Sequence, residues 1–476
     1  MKKYETVIGL EVHVELSTYS KVFCGCSTRF GKRPNINSCP VCMGMPGTLP
    51  SLNKKAVDLA LLAGLALNCD IVQTCMFDRK NYFYPDLPKA YQISQLYLPI
   101  ARNGSLSIDN KGTKKLIGIH ELHIEEDAGK LIHDSDSNIT LVDYNRSGVP
   151  LIEIVSRPDM RSAEEVLEYL DKLRIILRYL GVSDCKMQEG SMRVDINLSV
   201  RESGETMLGT RTEIKNMNSF KAIARAIEGE SKRQIDILKA GGQIVQETRR
   251  WDDNRNESIR MRSKEEAQDY RYFPDPDILP LEISDRWIHN LRSSLPELRE
   301  EKILRFKNEY DLSEYDAGVI TSSREMADLF ERTAILCNKP KEVANWLMVE
   351  GMRLMKENNI DPWDIDLHPE HFSKLISMIE EGIINRVKAK DVFEYVFLQD
   401  GDPEEYVKKH GLEMISDDKV LRTIIKQVIN DNAGPVSDYR NGKTKAFGYL
   451  VGQTMKSMKG KGDPTLVNAI LKEMLE

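Results

Sequence analysis

The sequence predicts an α+β fold followed by an all-helical part. Alternation of apolar and polar residues, which is typical of strands buried on one face, is confined to residues 1–290. Two long helical patterns interrupt this part without a regular strand–helix–strand alternation, which favours an antiparallel sheet. From residue 296 onwards the pattern is helical. A chain of 476 residues exceeds what one hydrophobic core supports, so several domains are expected.

Four segments have the alternation expected of half-buried strands: residues 6–16, 115–126, 150–156 and 192–201.

The first helical pattern covers residues 162–180. It begins with Ser162 and Glu165, the residue pair of a capping box, and ends before Gly181. Apolar residues form one stripe along it: Val166, Leu167, Leu170, Leu173, Leu177 and Leu180. The second pattern covers residues 219–240.

The change of pattern near Leu295 and Pro296 predicts the first domain boundary. We expect an N-terminal α+β domain over residues 1–293, a helical domain over 294–402 and a small helical tail over 403–476. Helical stretches before the tail are predicted at residues 296–309, 322–336, 340–357, 369–381 and 388–397. Asp400-Gly401-Asp402-Pro403 has the composition of a linker to the tail.

Composition and charge exclude several classes of protein. The chain carries 67 lysines and arginines against 74 aspartates and glutamates, a net charge of −7, so any contact with RNA must come from local basic segments. No apolar run reaches the ~18 residues that a membrane-spanning helix requires. No signal peptide is recognisable, and the cysteines outside two close pairs are scattered. A cytoplasmic protein without membrane contact is expected.

Four cysteines form the two close pairs, Cys24-Gly-Cys26 and Cys39-Pro-Val-Cys42. Two such pairs joined by a short loop can surround one tetrahedral Zn²⁺ with Zn–S distances of ~2.3 Å. A site closed by four thiolates has no open position for a substrate, so this zinc is predicted to be structural. The alternative is four reduced thiols that are buried or line a loop, since cysteine packs as a small hydrophobic residue.

Carboxylates and histidines share one face of the predicted strands. They are Glu11, His13 and Glu15 in the first strand, and Glu121, His123 and Glu125 in the second, where Glu126 and Asp127 follow. Clustered carboxylates cannot all stay ionised without a cation, and oxygen ligands with an occasional imidazole suit Mg²⁺ or Mn²⁺. The alternative is a hydrated polar face of an antiparallel sheet. That alternative does not explain Glu153, which stands alone in an apolar run.

A polar segment, residues 78–92, combines tyrosines, cations and prolines. Such loops on rigid scaffolds often bind anionic ligands. Arg79, Lys80 and Lys89 are candidates to hold phosphates, with Tyr82 among the aromatic residues beside them. An ordered surface loop in which the tyrosines only pack is the alternative. No Walker A loop is present, because Ser437 stands where its first glycine belongs.

Residues 441–462 form a basic segment of the tail that contains no acidic residue. Its lysines are Lys443, Lys445, Lys456, Lys459 and Lys461. An apolar helical stripe between them can dock on a core and leave the lysines facing outward, where they would give salt-dependent affinity for RNA. The alternative is a solvated basic helix face.

Taken together, these runs resemble the GatB family, the B subunits of the aspartyl/glutamyl-tRNA amidotransferases. The resemblance covers essentially the whole chain and includes Glu5-Thr-Val-Ile-Gly-Leu-Glu-Val-His-Val-Glu15 and Asp269-Tyr-Arg-Tyr-Phe-Pro274. Further matching runs are residues 78–86, 125–130, 150–156, 188–197 and 213–216.

The resemblance implies a fold, a reaction and partners. It implies that the N-terminal domain is a cradle similar to glutamine-synthetase-type folds and that the tail is similar to YqeY. Members bind tRNA(Gln) or tRNA(Asn) mischarged with Glu or Asp, and phosphorylate the side-chain carboxylate with ATP and Mg²⁺. Ammonia then displaces the phosphate. The A subunit, which is the amidase, supplies that ammonia through a channel, and the small C subunit is the third member of a heterotrimer.

The resemblance also implies roles for individual residues. The predicted catalytic residues are Glu11, His13, Glu125, Glu126 and Glu153. Of these, Glu11, His13, Glu126 and Glu153 are expected to hold Mg²⁺, with Glu125 as the alternative to Glu126. Arg79, Lys80, Tyr82 and Lys89 are expected to bind ATP or substrate. The cysteine pairs match a zinc site of some relatives. The lysines expected to contact tRNA are Lys456, Lys459 and Lys461.

Two other classes of function stay open at the level of the residues. An ATP-dependent ligase that acts on a free amino acid would not need the basic tail. A non-catalytic tRNA-binding adaptor would not need the strand carboxylates. The sequence shows no evident glutaminase nucleophile with its base, so a partner that produces ammonia is expected.

Overall fold

The alternating segments lie side by side in one large sheet. The computed structural model describes residues 3–110, 112–134, 138–263, 269–415, 417–458 and 461–475. It divides into two compact units, Met1–Leu298 and Arg299–Glu476, and the sheet belongs to the first. Nine strands of the described residues form it, in the spatial order Glu257–Ser263, Glu247–Asp252, Thr212–Lys215, Met192–Glu202, Tyr4–Glu15, Pro150–Ser156, Thr113–Glu126, Ala101–Asn110 and Asp70–Ile71.

The sheet is mixed, because Thr212–Lys215 and Glu247–Asp252 are parallel while the other neighbouring strands run antiparallel. Smaller sheets flank it. They pair Asp78–Asn81 with Tyr91–Ser94 and Phe273–Pro274, Thr74–Cys75 with Leu281–Glu282, and Lys130–Asp134 with Ile139–Asp143. The predicted α+β class is confirmed, and the alternating segments are strands within two residues of their expected bounds.

Alternation gives the sheet one apolar and one charged face. Leu10, Val12 and Val14 are at most 1% exposed and belong to the main hydrophobic core. The apolar stripes of the helices Ala163–Tyr179 and Phe220–Lys239 are part of the same core. Since successive side chains of a strand point to opposite faces, the odd-numbered charged residues of the first strand lie away from these helices.

The two predicted helices begin and end where their capping residues indicate. Ser162 Oγ accepts a hydrogen bond from Glu165 N at 3.3 Å, and Gly181 follows the first helix with φ +65°. One part of the capping box differs from expectation, because the Glu165 carboxylate accepts from Arg161 N and pairs with Lys115. The helix Asp285–Ser293 completes this region.

The helix Lys54–Ala66 was not expected from the sequence. Its buried residues include Ala56, Val57, Leu59, Ala60 and Leu61, and every residue after Lys55 except Asp58 is apolar, so no single apolar stripe stands out in the sequence. A helix that is apolar on all sides gives no amphipathic period.

The second unit is helical, and no strand occurs in its described residues. Its helices are Arg299–Tyr310, Glu314–Ile320, Arg324–Cys337, Pro340–Trp346, Met352–Asn358, Pro369–Glu380, Arg386–Gln399, Pro403–His410, Asp418–Asp431, Ala433–Arg440, Lys445–Ser457 and Pro464–Leu475. Short turns lie at Leu347–Gly351, which is π-helical, and at Pro362–Asp364. The π-helical turn divides the helix expected over 340–357.

The described residues of the second unit hold two separate hydrophobic clusters. One extends from Phe306 to Val407, and the other contains residues between Leu421 and Leu475. The helix Pro403–His410 therefore contributes to the first of these clusters through Val407. The boundaries at residues 293 and 402 stay predictions.

Candidate metal and reaction centre

Three neighbouring strands bring histidines and carboxylates together on the charged face. In the sheet register His13 lies opposite Glu153, and Glu153 lies opposite His123. His13 Nε2 is 3.6 Å from Glu125 Oε1 and 3.4 Å from Glu153 Oε2, while His123 Nε2 is 3.3 Å from Glu153 Oε2. Ligand atoms of His13, Glu125 and Glu153 all lie within 4.8 Å of one another. One cation with oxygen and imidazole ligands can be held by such a group.

The charges in this group depend on one another. Burial alone would raise the pKa of Glu153, but His123 and His13 hold it well below its usual value. Burial alone would lower the pKa of His13, yet the hydrogen bond and charge of Glu153, with the charge of Glu125, raise it to about 9. His13 is therefore protonated at neutral pH, and a metal ion bound at Nε2 would take the place of that proton.

A second group of carboxylates lies on the adjoining strands. Ligand atoms of Glu11, Asp195 and Glu213 lie within 4.8 Å of one another. Asn197 Nδ2 donates to Glu11 Oε1 at 2.9 Å. Lys215 Nζ is bonded to Asp195 and lies 2.8 Å from Glu213 Oε1. Burial and the charge of Glu153 raise the pKa of Glu11, so the two groups lie close enough to interact.

Glu126 is held apart from the His13 group by its own partners. Its carboxylate pairs with Lys89 Nζ and accepts a hydrogen bond from Ile93 N at 2.9 Å. The predicted Mg²⁺ ligands thus occupy three separate places. His13 and Glu153 lie with Glu125, and Glu11 lies with Asp195 and Glu213. Glu126 forms an ion pair with Lys89.

The residues predicted to bind nucleotide or substrate also differ in their partners. Arg79 Nε is 2.7 Å from Asp275 Oδ2 and its Nη2 is 2.7 Å from Asp277 Oδ2, so both sides of its guanidinium are occupied. Lys80 and Tyr82 line a cavity of about 260 Å³ that also contains His13, Glu125 and Asp195. This cavity connects both ligand groups.

Tyrosines of two segments border Lys80. Lys80 Nζ lies 5.0 Å from the ring centre of Tyr270 and 5.8 Å from that of Tyr82. Burial and the charge of Glu125 raise the pKa values of Tyr82 and Tyr272, so both hydroxyls remain protonated hydrogen-bond donors.

The four cysteines form a compact knuckle, by which we mean residues 24–44. The Sγ atoms of Cys24, Cys26, Cys39 and Cys42 lie within 4.8 Å of one another. Cys39 N donates to Cys42 Sγ at 3.2 Å. The Cys24 thiol, the Cys39 backbone and Lys21 hold the pKa of Cys42 below its usual value. Four converging sulfurs, one of them readily ionised, fit the tetrahedral thiolate set that Zn²⁺ prefers.

The tail lysines have unequal surroundings. Lys456 is exposed on the helix Lys445–Ser457, whereas Lys461 Nζ is bonded to the Gly411 carbonyl. Lys459 lies outside the described residues. Lys443 lies 2.9 Å from Asp438. Lys445 is exposed and stands eleven residues before Lys456, about three helical turns, so both point to the same side.

Several residues of the centre were not predicted from the sequence. The alternation that predicts a strand at 192–201 also places Arg193 and Asp195 on one face, so that pattern was a signal for them. Glu213 lies in the four-residue strand Thr212–Lys215, which is too short for alternation to show. Tyr270 and Tyr272 lie beside the centre only because Phe273–Pro274 pairs with Asp78–Asn81.

Comparison with known proteins agrees with the resemblance in the sequence. The GatB/GatE catalytic domain matches residues 6–289, and a GatB domain matches residues 328–475. The chain is 65% identical to a protein of Lachnoclostridium phytofermentans over 100% of this chain and 99% of that protein. It is 59% identical to one of Agathobacter rectalis over the full length of both. It is 54% identical to one of Caldicellulosiruptor saccharolyticus over 100% of this chain and 99% of that protein.

All three relatives are named as the B subunit of an aspartyl/glutamyl-tRNA(Asn/Gln) amidotransferase. Within the part of the chain that the structure describes, no helix combines the length and apolarity needed to cross a membrane. Matches of this identity over whole chains show that the protein belongs to the GatB family of amidotransferase B subunits.

Proposed function

We propose that the charged face of the sheet activates the side-chain carboxylate of a mischarged aminoacyl-tRNA and then amidates it. The observation that carries this proposal is the pair of ligand groups on one face, His13 with Glu125 and Glu153, and Glu11 with Asp195 and Glu213. The names of the relatives supply the substrate class, Glu-tRNA(Gln) and Asp-tRNA(Asn). This chain is then the synthetic subunit of a glutamine-dependent ligase that forms carbon–nitrogen bonds.

The reaction requires that a poor electrophile be activated. A carboxylate oxygen of the substrate attacks the γ-phosphorus of ATP, and ADP leaves. Ammonia then adds to the carbonyl carbon of the acyl phosphate, phosphate leaves, and nitrogen loses one proton to give the amide. The first step brings negative charges together, and catalysis is mainly electrostatic neutralisation and positioning.

The residues of the centre meet these demands in different ways. Mg²⁺ or Mn²⁺ held by the two ligand groups would neutralise charge on the phosphates and the incoming carboxylate. Lys80 adds a cation at the cavity wall, and the protonated hydroxyls of Tyr82 and Tyr272 can donate to substrate oxygens. The rings of Tyr82 and Tyr270 beside Lys80 can shield a bound acyl phosphate from water, which would otherwise hydrolyse it.

The proposal assigns the remaining parts to partners and to structure. Ammonia comes from the A subunit, which is the amidase, and the small C subunit is the third member of the heterotrimer. The knuckle binds a structural Zn²⁺, and the tail binds tRNA in the cytoplasm. A ligase for a free amino acid is the weaker alternative, because the matches include the tail as well as the catalytic domain.

The test is ATP-dependent amidation of both mischarged tRNAs by the assembled enzyme. We expect His13→Ala and Glu153→Gln to lower acyl-phosphate formation by about 1,000-fold, the effect of losing several kcal/mol of charge stabilisation. Their tRNA affinity should stay within a few-fold. His120→Ala is the matched control, since His120 lies on the same strand as Glu125 but its side chain is 59% exposed. Near-normal acyl-phosphate formation in both site variants would contradict the proposal.

A further inference from the structure

The cysteine knuckle lies directly on the Lys89–Glu126 pair. Gly44, two residues after Cys42, has φ +64°, and a Cβ atom there would lie 2.5 Å from Lys89 Cγ and 3.3 Å from Lys89 Cβ. A side chain at residue 44 would therefore displace either Lys89 or the knuckle. Lys89 Nζ in turn pairs with the Glu126 carboxylate.

A second contact, at Gly148, joins the knuckle to the Lys89–Glu126 pair. A Cβ atom on Gly148 would lie 3.6 Å from Cys42 Cβ and 3.8 Å from Glu126 Oε2. Gly148 therefore lies between the side chains of Cys42 and Glu126. Lys21, which is 0% exposed, lies 3.8 Å from Cys42 Sγ and 3.1 Å from the Tyr144 carbonyl oxygen.

These contacts enclose a cavity of about 250 Å³. Cys24, Cys42 and Gly44 line one side of it, and Lys89 and Glu126 line another. The knuckle thus shares a cavity with Lys89 and Glu126, and Glu126 directly follows Glu125 of the reaction centre.

Glu126 adjoins the ligand group through the backbone. Its carbonyl oxygen accepts from Gln92 Nε2 at 2.7 Å, and its carboxylate accepts from Ile93 N. The preceding residue, Glu125, presents its carboxylate to His13. Displacement of Lys89 would therefore disturb the strand end that carries Glu125.

We propose that the four-cysteine knuckle, through Gly44, positions Lys89 on Glu126 and thereby orients Glu125 at the reaction centre. Zn²⁺ bound by the cysteines would hold the knuckle rigid, and Lys21 offsets part of the thiolate charge. Gly44 is the positioning residue, and Lys21 supports the knuckle at Cys42. The inference rests on the proposed function only in taking Glu125 as part of the reaction centre.

The contact itself can be tested by zinc release, without any measurement of activity. The rate of zinc transfer from the assembled enzyme to 4-(2-pyridylazo)resorcinol is compared for the unmodified enzyme, Gly44→Ala, Lys89→Ala and the double variant. We expect Gly44→Ala to accelerate release several-fold. In the Lys89→Ala background, where Cγ is removed, the same substitution should change the rate by less than about twofold, since coupled neighbours are not additive.

Gly31→Ala is the matched control for backbone strain. Gly31 also lies in the knuckle with positive φ, +76°, but a Cβ atom there meets nothing within 4 Å. Backbone strain alone should change zinc release from Gly31→Ala by less than about twofold and leave kcat unchanged. Equal effects of Gly31→Ala and Gly44→Ala, or an effect of Gly44→Ala that persists fully without the Lys89 side chain, would overturn the contact.

Amidation kinetics test the positioning role separately. Gly44→Ala should lower kcat about tenfold or more while the KM for mischarged tRNA stays within about twofold. If the effects of Gly44→Ala and Lys89→Ala on zinc release are coupled but Gly44→Ala leaves kcat unchanged, the positioning role is overturned. If His13→Ala and Glu153→Gln retain activity while zinc release is coupled, the proposed function fails and the contact stands.

Discussion

Two adjacent glutamates at the end of one strand have opposite surroundings. Glu125 faces His13, with 3.6 Å between Oε1 and Nε2, whereas Glu126 is bonded to Lys89 and to a backbone amide. Successive residues of a strand point to opposite faces. Glu125 is therefore available to a metal ion, whereas each carboxylate oxygen of Glu126 already has a partner.

This difference predicts unequal metal affinities. Glu125→Gln should weaken Mn²⁺ binding at least about tenfold, because it removes one charged ligand. Glu126→Gln should weaken it by less than about threefold, because that residue acts only through the strand. Titration of Mn²⁺ monitored by electron paramagnetic resonance compares the two variants directly. A larger loss for Glu126→Gln than for Glu125→Gln would show that Glu126 is the ligand.

Local alternation predicts which residues share a face but not which of them meet. It places Glu11 and His13 together on one strand, yet the sheet brings Asp195 beside Glu11 and Glu153 beside His13. Strand order and register are tertiary properties, determined by contacts between distant segments. The sequence therefore predicts the charged face, whereas the division into two ligand groups needs the structure.

At the scale of elements, the knuckle depends on its metal. Cys39→Ser should reduce zinc below one equivalent per chain and lower the melting temperature by several degrees, because metal binding contributes to folding free energy. Elemental analysis and calorimetry measure the two effects. Cys337→Ser is the control, since Cys337 lies outside the knuckle and its Sγ contacts the Thr333 carbonyl oxygen at 3.1 Å. Full zinc content in Cys39→Ser would contradict the four-cysteine site.

One buried carboxylate joins the helix Phe220–Lys239 to the edge of the sheet. Glu230 is 0% exposed. It accepts hydrogen bonds from Arg233 Nη2 at 2.6 Å and Gln234 Nε2 at 2.9 Å on its own helix. It also accepts from Ser258 Oγ, on the strand Glu257–Ser263, at 2.7 Å. Burial alone would raise the pKa of Glu230, but these donors lower it.

The lowered pKa of Glu230 predicts a pH-dependent contribution to stability. The carboxylate stabilises the fold fully above the pKa of an unfolded glutamate, about 4.3, and this contribution is lost as pH falls through the lower folded pKa. Glu230→Gln should reduce the free energy of unfolding by about 2–3 kcal/mol at pH 7, with a smaller difference below pH ~4. Urea unfolding measures both.

Glu228→Gln, an exposed position of the same helix, should change the free energy of unfolding by less than about 0.5 kcal/mol at either pH. An effect of Glu230→Gln that is equally large at pH 3 and pH 7 would mean that its charge is not responsible.

Elements with clear capping residues or a single apolar stripe are predicted well, and the others are not. The helices after Ser162 and Ser219 begin within one residue of expectation. Lys54–Ala66 escapes prediction because every residue after Lys55 except Asp58 is apolar, which leaves almost no amphipathic period. The π-helical turn at Leu347–Gly351 depends on packing within the second unit, which local periodicity does not report.

At the scale of the whole molecule, the charge is negative while the substrate is a polyanion. With a net charge of −7, the protein must bind tRNA through local basic surfaces. The helix Lys445–Ser457 offers one, because Leu450 and Thr454 are buried while Lys445, Tyr449 and Lys456 are exposed. At spacings of four and eleven residues these three exposed side chains share one side of the helix.

The exposed side of this helix predicts the salt dependence of tRNA binding. The double variant Lys445→Gln/Lys456→Gln should weaken tRNA affinity and reduce the slope of log affinity against log salt concentration by about 2, one for each lost phosphate contact. Fluorescence anisotropy of labelled tRNA at several KCl concentrations gives that slope. Lys408→Gln is the control. Lys408 lies on the helix Pro403–His410, and its Nζ is 2.6 Å from Oε1 of Glu404 on that same helix. A salt slope that is unchanged in the double variant would place the phosphate contacts elsewhere, and the tail helix would then serve packing or the docking of a partner protein.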